Sequence, residues 1–553
     1  MSAPTVRGGG NPAAKIMVVT EFATADDLWK QFPLSGKMGE FAWKLLGEAG
    51  IPRTSTYVTP VMRFRAQGDD PDLYYSQTKA HAAKHGLTET RHNTWVHPKL
   101  VAEIEHLHET IARIKPEVII AFGDLAMFAC AGVFGAVATW RGSNLACVVD
   151  ANIRVIPTYP AATVIRKWEI KGFVLRDLKR VRNLVDRPDL YTPPVYNTIT
   201  APTFPVAKRV LLDLLAVPLS GNRLRIAVDL ETIARHISCL GIAWSCRDAI
   251  CIPFITLNGD FYSEEEEIEL HFLLRELLTH PNTEVIGQNF NYDNQHFAKH
   301  LGYHPNQTDD TMLAQHALFP GLPKSLDFLS SMYCHYHVYW KDEMDDYSRL
   351  PENMEQYWLY NCKDVMATFE VDLVLQELLI YYNKTEQYQF LMEVSRSALQ
   401  TMHTGCAVDQ KARGETAGKL MAVIAQYDEL ISLIIGRPFN VGSPVQMQKY
   451  FYDELRLPRQ INRKTKRPSC DDKALETLRQ KEPLIIPLVE LISKRRSMAV
   501  FLKTFCLMPL DIDGRMRCSF NTGGAETFRL SSSSNAFGSG GNLQNIPKGE
   551  EKD

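Results

Sequence analysis

The sequence predicts a multidomain α/β protein whose last part is mainly helical, and three observations lead to this prediction. Residues 15–187 alternate short apolar strands with amphipathic helices, the order typical of an α/β domain with a largely parallel sheet. Residues 222–383 repeat this alternation. Across residues 384–553, long segments with helical periodicity dominate. A chain of 553 residues has room for several domains with separate cores.

The first α/β domain is predicted from the order of its elements. A short apolar strand occupies residues 15–20, and a helix at residues 41–50 ends on a glycine. An amphipathic helix at residues 100–114 leads into a strand at residues 116–122. Residues 1–14 are small, polar and rich in glycine, without the apolar core of a signal peptide, so they are predicted to form a flexible tail.

A linker is predicted at residues 188–221, because the first part of this segment holds five prolines and shows no helical period. The second domain then opens with strands at residues 225–230 and 237–244. The helices predicted in the last part of the chain lie at residues 386–403, 415–435, 471–479 and 488–507.

Composition narrows the class of protein but does not assign a function. With 45% hydrophobic and 23% charged residues, the chain is typical of soluble globular proteins. No apolar run approaches the ~20 residues that span a bilayer. The net charge of −3 carries no signature of nucleic-acid binding, although acidic sites can offset basic DNA-contacting faces. Eleven scattered cysteines without a Cys-x-x-Cys pair argue against disulfides, zinc and iron–sulfur sites, and favour a reducing, cytoplasmic setting.

The strongest candidates for chemistry are carboxylates in three ordered motifs. Asp229 and Glu231 lie two residues apart at the end of a predicted strand, so both point to one face. Asp293 lies where a short strand meets a helix start, and Tyr360 and Asp364 lie four residues apart on one helix face. Asp-x-Glu alone is usually an exposed strand end, and Tyr-x-x-x-Asp alone is usually a surface pair. The ordered combination is what points to a site.

Four acidic groups in one place are costly unless cations neutralise them. Hard divalent ions with oxygen ligands do this. Two such ions about 4 Å apart clamp the attacking and leaving oxygens of a phosphodiester displacement. The pattern therefore favours metal-dependent hydrolysis of a phosphodiester, with Tyr360 orienting the attacking water.

Together with the segments at residues 310–313 and 324–329, these motifs resemble the proofreading 3′→5′ exonuclease domain of family A DNA polymerases. The resemblance implies a ribonuclease H-like, DnaQ-type fold in residues 222–383 that acts on a single-stranded 3′ end of DNA. It implies that Tyr360 positions water and that Asn289 contacts the DNA. The ligands that it implies for two Mg²⁺ or Mn²⁺ ions are Asp229, Glu231, Asp293 and Asp364.

The last part of the chain resembles the thumb and early palm of family A DNA polymerases. Residues 439–448 read Phe-Asn-x-x-Ser-Pro-x-Gln, and residues 515–521 match the strand that follows. Residues 529–532 read Arg-Leu-Ser-Ser, and residues 542–547 read Asn-Leu-Gln-Asn-Ile-Pro. One departure is Phe528, where the family has glycine.

This resemblance implies that residues in this part of the chain contact a primer–template duplex. Some would contact its phosphates, and others would lie near the end of the primer. A short basic cluster taken alone is more typical of a solvated surface. The DNA-contacting candidates in this part of the chain are Lys494, Arg495, Arg496, Arg529, Asn542 and Gln544.

The printed chain carries no Asp-Tyr-Ser-x-x-Glu palm motif, no finger helix and no second palm aspartate. Phosphoryl transfer in this family needs that metal pair. We therefore expect that these residues do not extend primers alone. Either a second polymerase chain carries the palm and fingers, as in a split polymerase, or the sequence is a shortened form. A processivity factor is a further expected partner.

The first domain resembles uracil-DNA glycosylases through residues 36–46, 57–60 and 115–126. The departures from the glycosylase pattern lie at the positions that carry its catalytic chemistry. Pro60 stands where an Asn is usual, and Tyr159 replaces the His of a His-Pro-Ser motif. A Thr-Glu-Phe-Ala-Thr loop also replaces the Gly-Glu-x-Pro-Gly-like loop of active members. A module that binds DNA or a partner without catalysis is therefore expected, with phosphate contacts from Arg166, Lys167 and Arg180.

Some bacteriophage polymerases carry such a domain ahead of the exonuclease. The resulting prediction is the N-terminal part of a bacteriophage family A DNA polymerase that proofreads during DNA replication in the cytoplasm of the host, without a membrane partner. Two alternatives stay open: a DNA-binding assembly subunit whose chemistry lies in a partner, and a uracil-DNA repair glycosylase.

Overall fold

The chain forms two compact units, Met1–Met392 and Glu393–Asp553. The first unit contains two α/β domains, and the second contains long helices and short hairpins. No helix in the described part of the chain is long and apolar enough to cross a membrane. The computed structural model describes residues 4–91, 94–187, 193–343, 351–462 and 465–546.

The first domain is built on a six-stranded sheet covered by helices on both faces. Alternate residues of its second strand enter two different cores, with Met17 and Val19 in one and Ile16 and Val18 in the other. The strands of the whole domain, six of which form this sheet, are β1 (Gly9–Gly10), β2 (Ile16–Phe22), β3 (Thr56–Met62), β4 (Tyr75–Ser76), β5 (Thr88–Arg91), β6 (Thr94–Val96), β7 (Val118–Phe122), β8 (Leu145–Ala146) and β9 (Arg154–Thr158). Its helices are α1 (Ala25–Lys30), α2 (Lys37–Glu48), α3 (Lys79–His85), α4 (Pro98–Ile114), α5 (Asp124–Ala131), α6 (Val137–Trp140), α7 (Ala161–Arg166) and α8 (Lys171–Asp186).

The strand order of this sheet is β1-β3-β2-β7-β9-β8. Strands β3, β2, β7 and β9 run parallel, while β1 and β8 add antiparallel edges. The prediction of an α/β domain with a largely parallel sheet is therefore confirmed. Carboxyl ends of parallel strands meet at one edge, where ligand sites of such sheets usually lie.

The prediction of a flexible tail over residues 1–14 is wrong for the part that packs on the sheet. Val6 is fully buried, and Gly9 and Gly10 pair with β3. A Cβ on Gly10 would lie 2.3 Å from the carbonyl oxygen of Thr56, and Gly10 has a φ of +121°. The glycines that suggested flexibility are there because the backbone approaches β3 closely.

The second domain is built on a mixed six-stranded sheet of order β10-β13-β12-β11-β16-β17. The helix Met354–Tyr381 packs across this sheet. Strands β11, β16 and β17 run parallel, and β12 runs antiparallel between β11 and β13. The strands are β10 (Asn197–Ile199), β11 (Leu224–Ile233), β12 (His236–Ala243), β13 (Asp248–Pro253), β14 (Ile255–Thr256), β15 (Gly259–Asp260), β16 (Thr283–Gly287) and β17 (Gln307–Asp310). The helices are α9 (Phe204–Leu219), α10 (Glu264–Thr279), α11 (Asn291–His296), α12 (Thr311–Leu318), α13 (Leu326–Tyr333) and α14 (Met354–Tyr381).

The prediction of a linker over residues 188–221 is wrong for most of its length. Strand β10 forms an edge of the second sheet, and α9 packs Ala207 and Leu211 into the core beneath it. Two of the prolines that suggested a linker are compatible with this helix, because Pro205 lies in its first turn and Pro218 near its end. Residues 188–192 lie outside the described part of the chain.

The helices of the second unit confirm the helical pattern from residue 384 onward. Its core gathers Phe439, Met447, Phe451, Leu475 and Ile492. The remaining elements are α15 (Thr385–Thr404), β18 (Cys406–Ala407), α16 (Gln410–Ile435), α17 (Pro444–Gln448), α18 (Asp472–Lys481), α19 (Ile486–Phe501), β19 (Arg515–Met516), β20 (Ser519–Asn521) and β21 (Ser531–Ser533).

Candidate metal centre

Three carboxylates from two elements of the second domain come together. Asp229 and Glu231 lie on β11, and Asp364 lies on α14. One oxygen of each of the three lies within 4.8 Å of the others. A bulge between Glu231 and Thr232 interrupts the pairing of β11 with β12 next to this cluster, a feature that often re-aims side chains beside active sites. The prediction that both β11 carboxylates share a face is confirmed.

Close approach of α14 to the sheet depends on a glycine. Gly241 on β12 pairs with Asp229, and a Cβ on Gly241 would lie 2.4 Å from Oδ1 of Asn361. Because that space is free, Asn361 reaches over β12, and its Nδ2 donates to Oδ2 of Asp229 over 2.9 Å. Asn361 lies between the two predicted residues of the third motif, but the sequence pattern did not mark it.

Asp293 reaches the same region from α11 but lies outside the group of three. Its Oδ1 accepts a hydrogen bond of 3.1 Å from the backbone N–H of Leu230, which lies between the two β11 carboxylates. Burial and the charge of Asp229 raise the pKa of Asp293 well above its usual range. The structure thus brings all four predicted carboxylates to one end of β11, three of them in direct proximity.

Two residues that the sequence did not reveal touch Asp364. Nε1 of Trp340 donates to Oδ1 of Asp364 over 2.6 Å. Nζ of Lys341 forms an ion pair with Oδ2 of Asp364 and donates to the hydroxyl of Tyr360 over 2.8 Å. Both residues precede the third motif by about twenty positions in a segment of irregular backbone, and no periodicity marks them.

Asn289, the predicted DNA contact, occupies a strained turn between β16 and α11. Its φ is +56°, in the left-handed region. Backbone N–H groups of Asn289 and Phe290 donate to the carboxylate of Asp310 over 3.1 and 2.9 Å. Asp310 also accepts from the N–H groups of Met312 and Leu313 at the start of α12. The Asp310 motif therefore holds the turn that carries Asn289.

The electrostatics of the cluster match a site for hard cations. Burial, followed by the charge of Asp364, raises the pKa of Asp229 to about 7. Burial and the neighbouring charge of Asp229 raise the pKa of Glu231 well above its usual range. Lys341 offsets part of this excess negative charge. An all-oxygen donor set with unbalanced negative charge suits Mg²⁺ or Mn²⁺.

These shifts predict a pH-dependent response to metal. The pKa of Asp229 rises on folding from 3.8 to about 7, so the metal-free folded state holds more protons and loses stability as pH rises through that window. Metal binding requires the ionised form. We therefore expect Mn²⁺ to raise the melting temperature more at pH 8 than at pH 6. Thermal unfolding with and without Mn²⁺ at both pH values measures this, and equal increments would contradict it.

Three family models match successive parts of the chain. The uracil DNA glycosylase superfamily matches residues 7–182, 3′–5′ exonuclease matches residues 207–380, and DNA polymerase family A matches residues 410–553. The chain carries a 3′–5′ exonuclease domain. A uracil-DNA-glycosylase-like domain precedes it, and part of a family A DNA polymerase domain follows it.

Similar proteins include bacterial DNA polymerases I. The enzyme of Borreliella burgdorferi is 26% identical over 335 residues, which cover 59% of this chain and 35% of that protein. The thermostable enzyme of Thermus thermophilus is 31% identical over 178 residues, which cover 31% of this chain and 19% of that protein. This chain thus spans about a third of the first of these relatives and about a fifth of the second. The solved POL domain of Pol1 from M. smegmatis with DNA primer-template and dNTP has a TM-score of 0.44 at 24% identity, covering 61% of this chain and 55% of that chain.

In the glycosylase-like domain, the substituted positions meet at the carboxyl ends of the parallel strands. Glu21 lies at the end of β2, Pro60 lies in β3 and Tyr159 follows β9. A cavity of about 210 Å³ beside Glu21 extends toward Pro160. Burial raises the pKa of Glu21 to about 7, and Oε1 of Glu21 accepts from the N–H of Leu125 over 3.2 Å. A cavity thus lies at this edge of the sheet, next to the positions where the sequence departs from the glycosylase pattern.

The phosphate contacts predicted in this domain separate into two kinds. Arg166 and Lys167 are exposed at the end of α7. Arg180 is only 2% exposed and donates to the carbonyl oxygens of Gly142 and Cys334. The prediction that Arg180 contacts phosphate is therefore wrong: its position on the inward face of the amphipathic α8 makes it a structural residue.

In the partial polymerase domain, side chains of the thumb motif form hydrogen bonds with the backbone of the same motif. The hydroxyl of Ser443 accepts from the N–H of Gln446 at the start of α17, and Oε1 of Gln446 accepts from the N–H of Asn440. Phe439 lies in the core. Phe528 has a φ of +59°, the left-handed conformation that the glycine of the family adopts readily. The backbone of this turn therefore has a conformation that favours glycine, although the residue is a phenylalanine.

The candidate DNA contacts of this domain lie at its surface and in its loops. Lys494 is exposed, whereas Arg495 pairs with Asp428 over 2.8 Å and Arg496 donates to the carbonyl of Cys470 over 2.8 Å. Arg529 is exposed. Asn542 accepts from the hydroxyl of Ser532 over 2.5 Å, and Nε2 of Gln544 donates to the carbonyl of Leu530 over 3.0 Å. These hydrogen bonds join residues 530–532 to residues 542–544.

Proposed function

We propose that this chain is the proofreading part of a family A DNA polymerase, which removes nucleotides from the 3′ end of DNA with two Mg²⁺ or Mn²⁺ ions. One observation carries the proposal. Oxygens of Asp229, Glu231 and Asp364 lie within 4.8 Å of one another, with Tyr360 one helical turn before Asp364, in a domain of the 3′–5′ exonuclease family.

Bound divalent ions would supply water activation and charge stabilisation at the scissile phosphate. Hydrogen bonds within the chain fix the positions of the carboxylates that would bind these ions. Asn361 orients the carboxylate of Asp229, and Trp340 orients that of Asp364. The hydroxyl oxygen of Tyr360 accepts from Nζ of Lys341 over 2.8 Å, which fixes the position of the group expected to orient the attacking water. Such fixed geometry lowers the cost of reaching the transition state.

A 3′-to-5′ direction and a metal requirement test the proposal. In Mg²⁺, we expect the chain to shorten a single-stranded oligonucleotide labelled at its 5′ end one nucleotide at a time. Mg²⁺ is the ion of choice because the candidate ligands are carboxylate oxygens. EDTA should stop the reaction, and added Mg²⁺ should restore it. A denaturing gel resolves the products. Release of a single labelled nucleotide from the 5′ end, or full activity in EDTA, would contradict the proposal.

The substrates of the other parts belong to the same proposal. We assign contact with the single-stranded 3′ end to Asn289 and DNA phosphate contacts of the glycosylase-like domain to Arg166 and Lys167. Primer–template contact is assigned to Lys494, Arg495, Arg496, Arg529, Asn542 and Gln544. Support comes from the match of residues 410–553 to DNA polymerase family A and from the exposure of Lys494, Arg529, Arg166 and Lys167.

Primer extension by these residues then depends on palm and finger elements outside them, in this protein or in a second chain. A processivity factor and an origin in a bacteriophage, with action in the host cytoplasm, complete the proposal. They rest on the order of the three domains along the chain.

We expect no release of uracil from uracil-containing DNA. Tyr159 and Pro60 replace the imidazole and the amide that active glycosylases of this superfamily use. A fluorescence assay for abasic sites on single- and double-stranded substrates measures this. Excision above the level of a Glu21→Gln variant would instead favour the repair-glycosylase alternative.

A further inference from the structure

An irregular segment carries Trp340 and Lys341 into the exonuclease site. Residues 334–343, which we call the Trp340 strap, follow α13. At its end, the indole N–H of Trp340 reaches Oδ1 of Asp364 over 2.6 Å, and the ammonium of Lys341 reaches the Tyr360 hydroxyl over 2.8 Å. The Lys341 ammonium also lies 4.7 Å from the centre of the Tyr360 ring. The strap therefore touches both predicted residues of the third motif.

The glycosylase-like domain grips this strap just before the site. The backbone N–H of Asn144 donates to the carbonyl of His337 over 2.8 Å. The N–H of Tyr339 donates to Oγ of Ser143 over 3.1 Å, and the rings of Trp140 and Tyr339 pack edge to face with centroids 5.0 Å apart. These contacts set the register of the strap two residues before Lys341.

Buried arginines of the same domain hold the end of α13 and the start of the strap. Arg141 donates to Oγ of Ser331 over 2.7 Å. Arg180 donates to the carbonyl of Cys334 over 3.0 Å. Arg141 and Arg180 are both 2% exposed. Carbonyls and side chains of the exonuclease domain thus complete the hydrogen bonding of these arginines, so neither side of the interface is satisfied without the other.

The exonuclease domain holds the strap at different places. The N–H of His335 donates to Glu370 over 2.6 Å, and Nζ of Lys363 donates to Glu343 over 2.7 Å. These contacts lie near the two ends of the strap, and the hydroxyl of Ser330 hydrogen-bonds with Nδ1 of His337 in its middle over 2.9 Å. The contacts that Trp140, Ser143 and Asn144 of the glycosylase-like domain make with His337 and Tyr339 lie between them, in the part that leads directly to Trp340 and Lys341.

We propose that the glycosylase-like domain positions the exonuclease site through the Trp340 strap, with Lys341 as the positioning residue at its end. The Lys341 ammonium holds the Asp364 carboxylate and the Tyr360 hydroxyl together and so fixes the position of that hydroxyl. The activity measurements rest on the proposed exonuclease function, whereas the binding and spectroscopic measurements do not.

Substitution of Lys341 tests its role through a split between binding and turnover. In Lys341→Met, Mn²⁺ should bind about 3- to 10-fold more tightly, because a cation that offsets the carboxylates is removed. The kcat of single-strand hydrolysis should fall about 10-fold or more, because the Tyr360 hydroxyl loses the hydrogen bond that Lys341 donates to it. Lys341→Arg should keep Mn²⁺ affinity within about 2-fold of wild type. Electron paramagnetic resonance of free Mn²⁺ measures the affinity.

Unchanged affinity and kcat in Lys341→Met would overturn the role of Lys341. Weaker Mn²⁺ binding together with a lower melting temperature would also overturn it, since that pattern indicates a merely structural residue.

The coupling itself is tested from the glycosylase-like domain with the full chain. The double variant Trp140→Leu and Ser143→Ala removes the ring and the acceptor that meet Tyr339. Protein labelled with 5-fluorotryptophan reports the Trp340 indole by ¹⁹F NMR, and Trp340→Phe identifies its resonance. We expect this resonance to shift in the double variant, its response to Mg²⁺ to change, and the exonuclease rate to fall several-fold.

A matched control is Trp29→Ala, since Trp29 lies in the same domain and is 82% exposed. This variant should leave the Trp340 resonance in place. An unchanged Trp340 resonance and Mg²⁺ response in the double variant would overturn the coupling. If the wild-type chain shows no nuclease activity, the proposed function fails, and the ¹⁹F and Mn²⁺ measurements still decide the coupling.

Discussion

Asp229→Asn should abolish exonuclease activity, with a loss of at least about 1,000-fold in kcat, which corresponds to about 4 kcal/mol of transition-state stabilisation. Asp229 is one of the three carboxylates that come within 4.8 Å, and its neighbours cannot replace its charge. The amide is nearly isosteric with the carboxyl group, so packing beneath α14 is retained. Single-turnover hydrolysis of a 5′-labelled oligonucleotide in Mg²⁺ measures the effect.

A second measurement separates lost chemistry from lost folding. Because burial already raises the pKa of Asp229 to about 7, a neutral amide should not lower the melting temperature in EDTA. It should remove most of the Mn²⁺-induced stabilisation. Asp260→Asn is a matched control, since Asp260 is an exposed carboxylate of the same domain, and it should leave activity unchanged. Undiminished cleavage by Asp229→Asn would falsify the assignment of the site.

Asp177→Ala should destabilise the first unit by about 3–5 kcal/mol, the typical cost of breaking a buried ion pair. Arg141 and Asp177 are 2% and 1% exposed. Nε and Nη2 of Arg141 donate to the two carboxylate oxygens over 3.1 and 2.5 Å, and the Thr158 hydroxyl donates to the same carboxylate over 2.8 Å. Removal of Asp177 leaves the guanidinium charged and buried without its counter-charge. Urea unfolding followed by tryptophan fluorescence measures the shift.

The same helix offers the control. Asp186 pairs with Arg182 over 2.6 Å on the exposed face of α8, with side chains 46% and 42% exposed. Asp186→Ala should cost less than about 1 kcal/mol, because solvent screens this pair. A double variant, Arg141→Met with Asp177→Leu, should recover much of the lost stability. A cost below about 1 kcal/mol for Asp177→Ala would show that the buried pair contributes little.

Local periodicity explains why much of the exonuclease site was predictable. Asp229 and Glu231 share a face because strand side chains alternate, and Tyr360 and Asp364 share a face because helix side chains recur every three to four residues. Both rules relate residues that are only a few positions apart, so they can be applied without knowledge of the fold. The long helices of the last part, such as α15 and α16, were predicted for the same reason.

The errors have a common physical origin. Glycines near the N-terminus suggested flexibility, but Gly10 packs against β3 because its lack of a side chain permits close approach. Prolines suggested a linker, but Pro205 begins a helix whose apolar face meets the second sheet. Arg180 suggested a phosphate contact, but it lies inside the protein. Each residue type permits two environments, and packing against distant segments selects one.

The sequence by itself determined the family resemblances, the α/β class, and the identity of the predicted metal ligands, since these depend on residue types at short, regular spacings. Only the tertiary structure decided that Asn361 holds Asp229, that Trp340 and Lys341 reach Asp364, and that the glycosylase-like domain holds their strap. The contacts to Asp364 join residues 24 and 23 positions apart, and the contact of Ser143 with Tyr339 spans 196 positions. No local pattern records such pairs, because they form only when separate elements pack together.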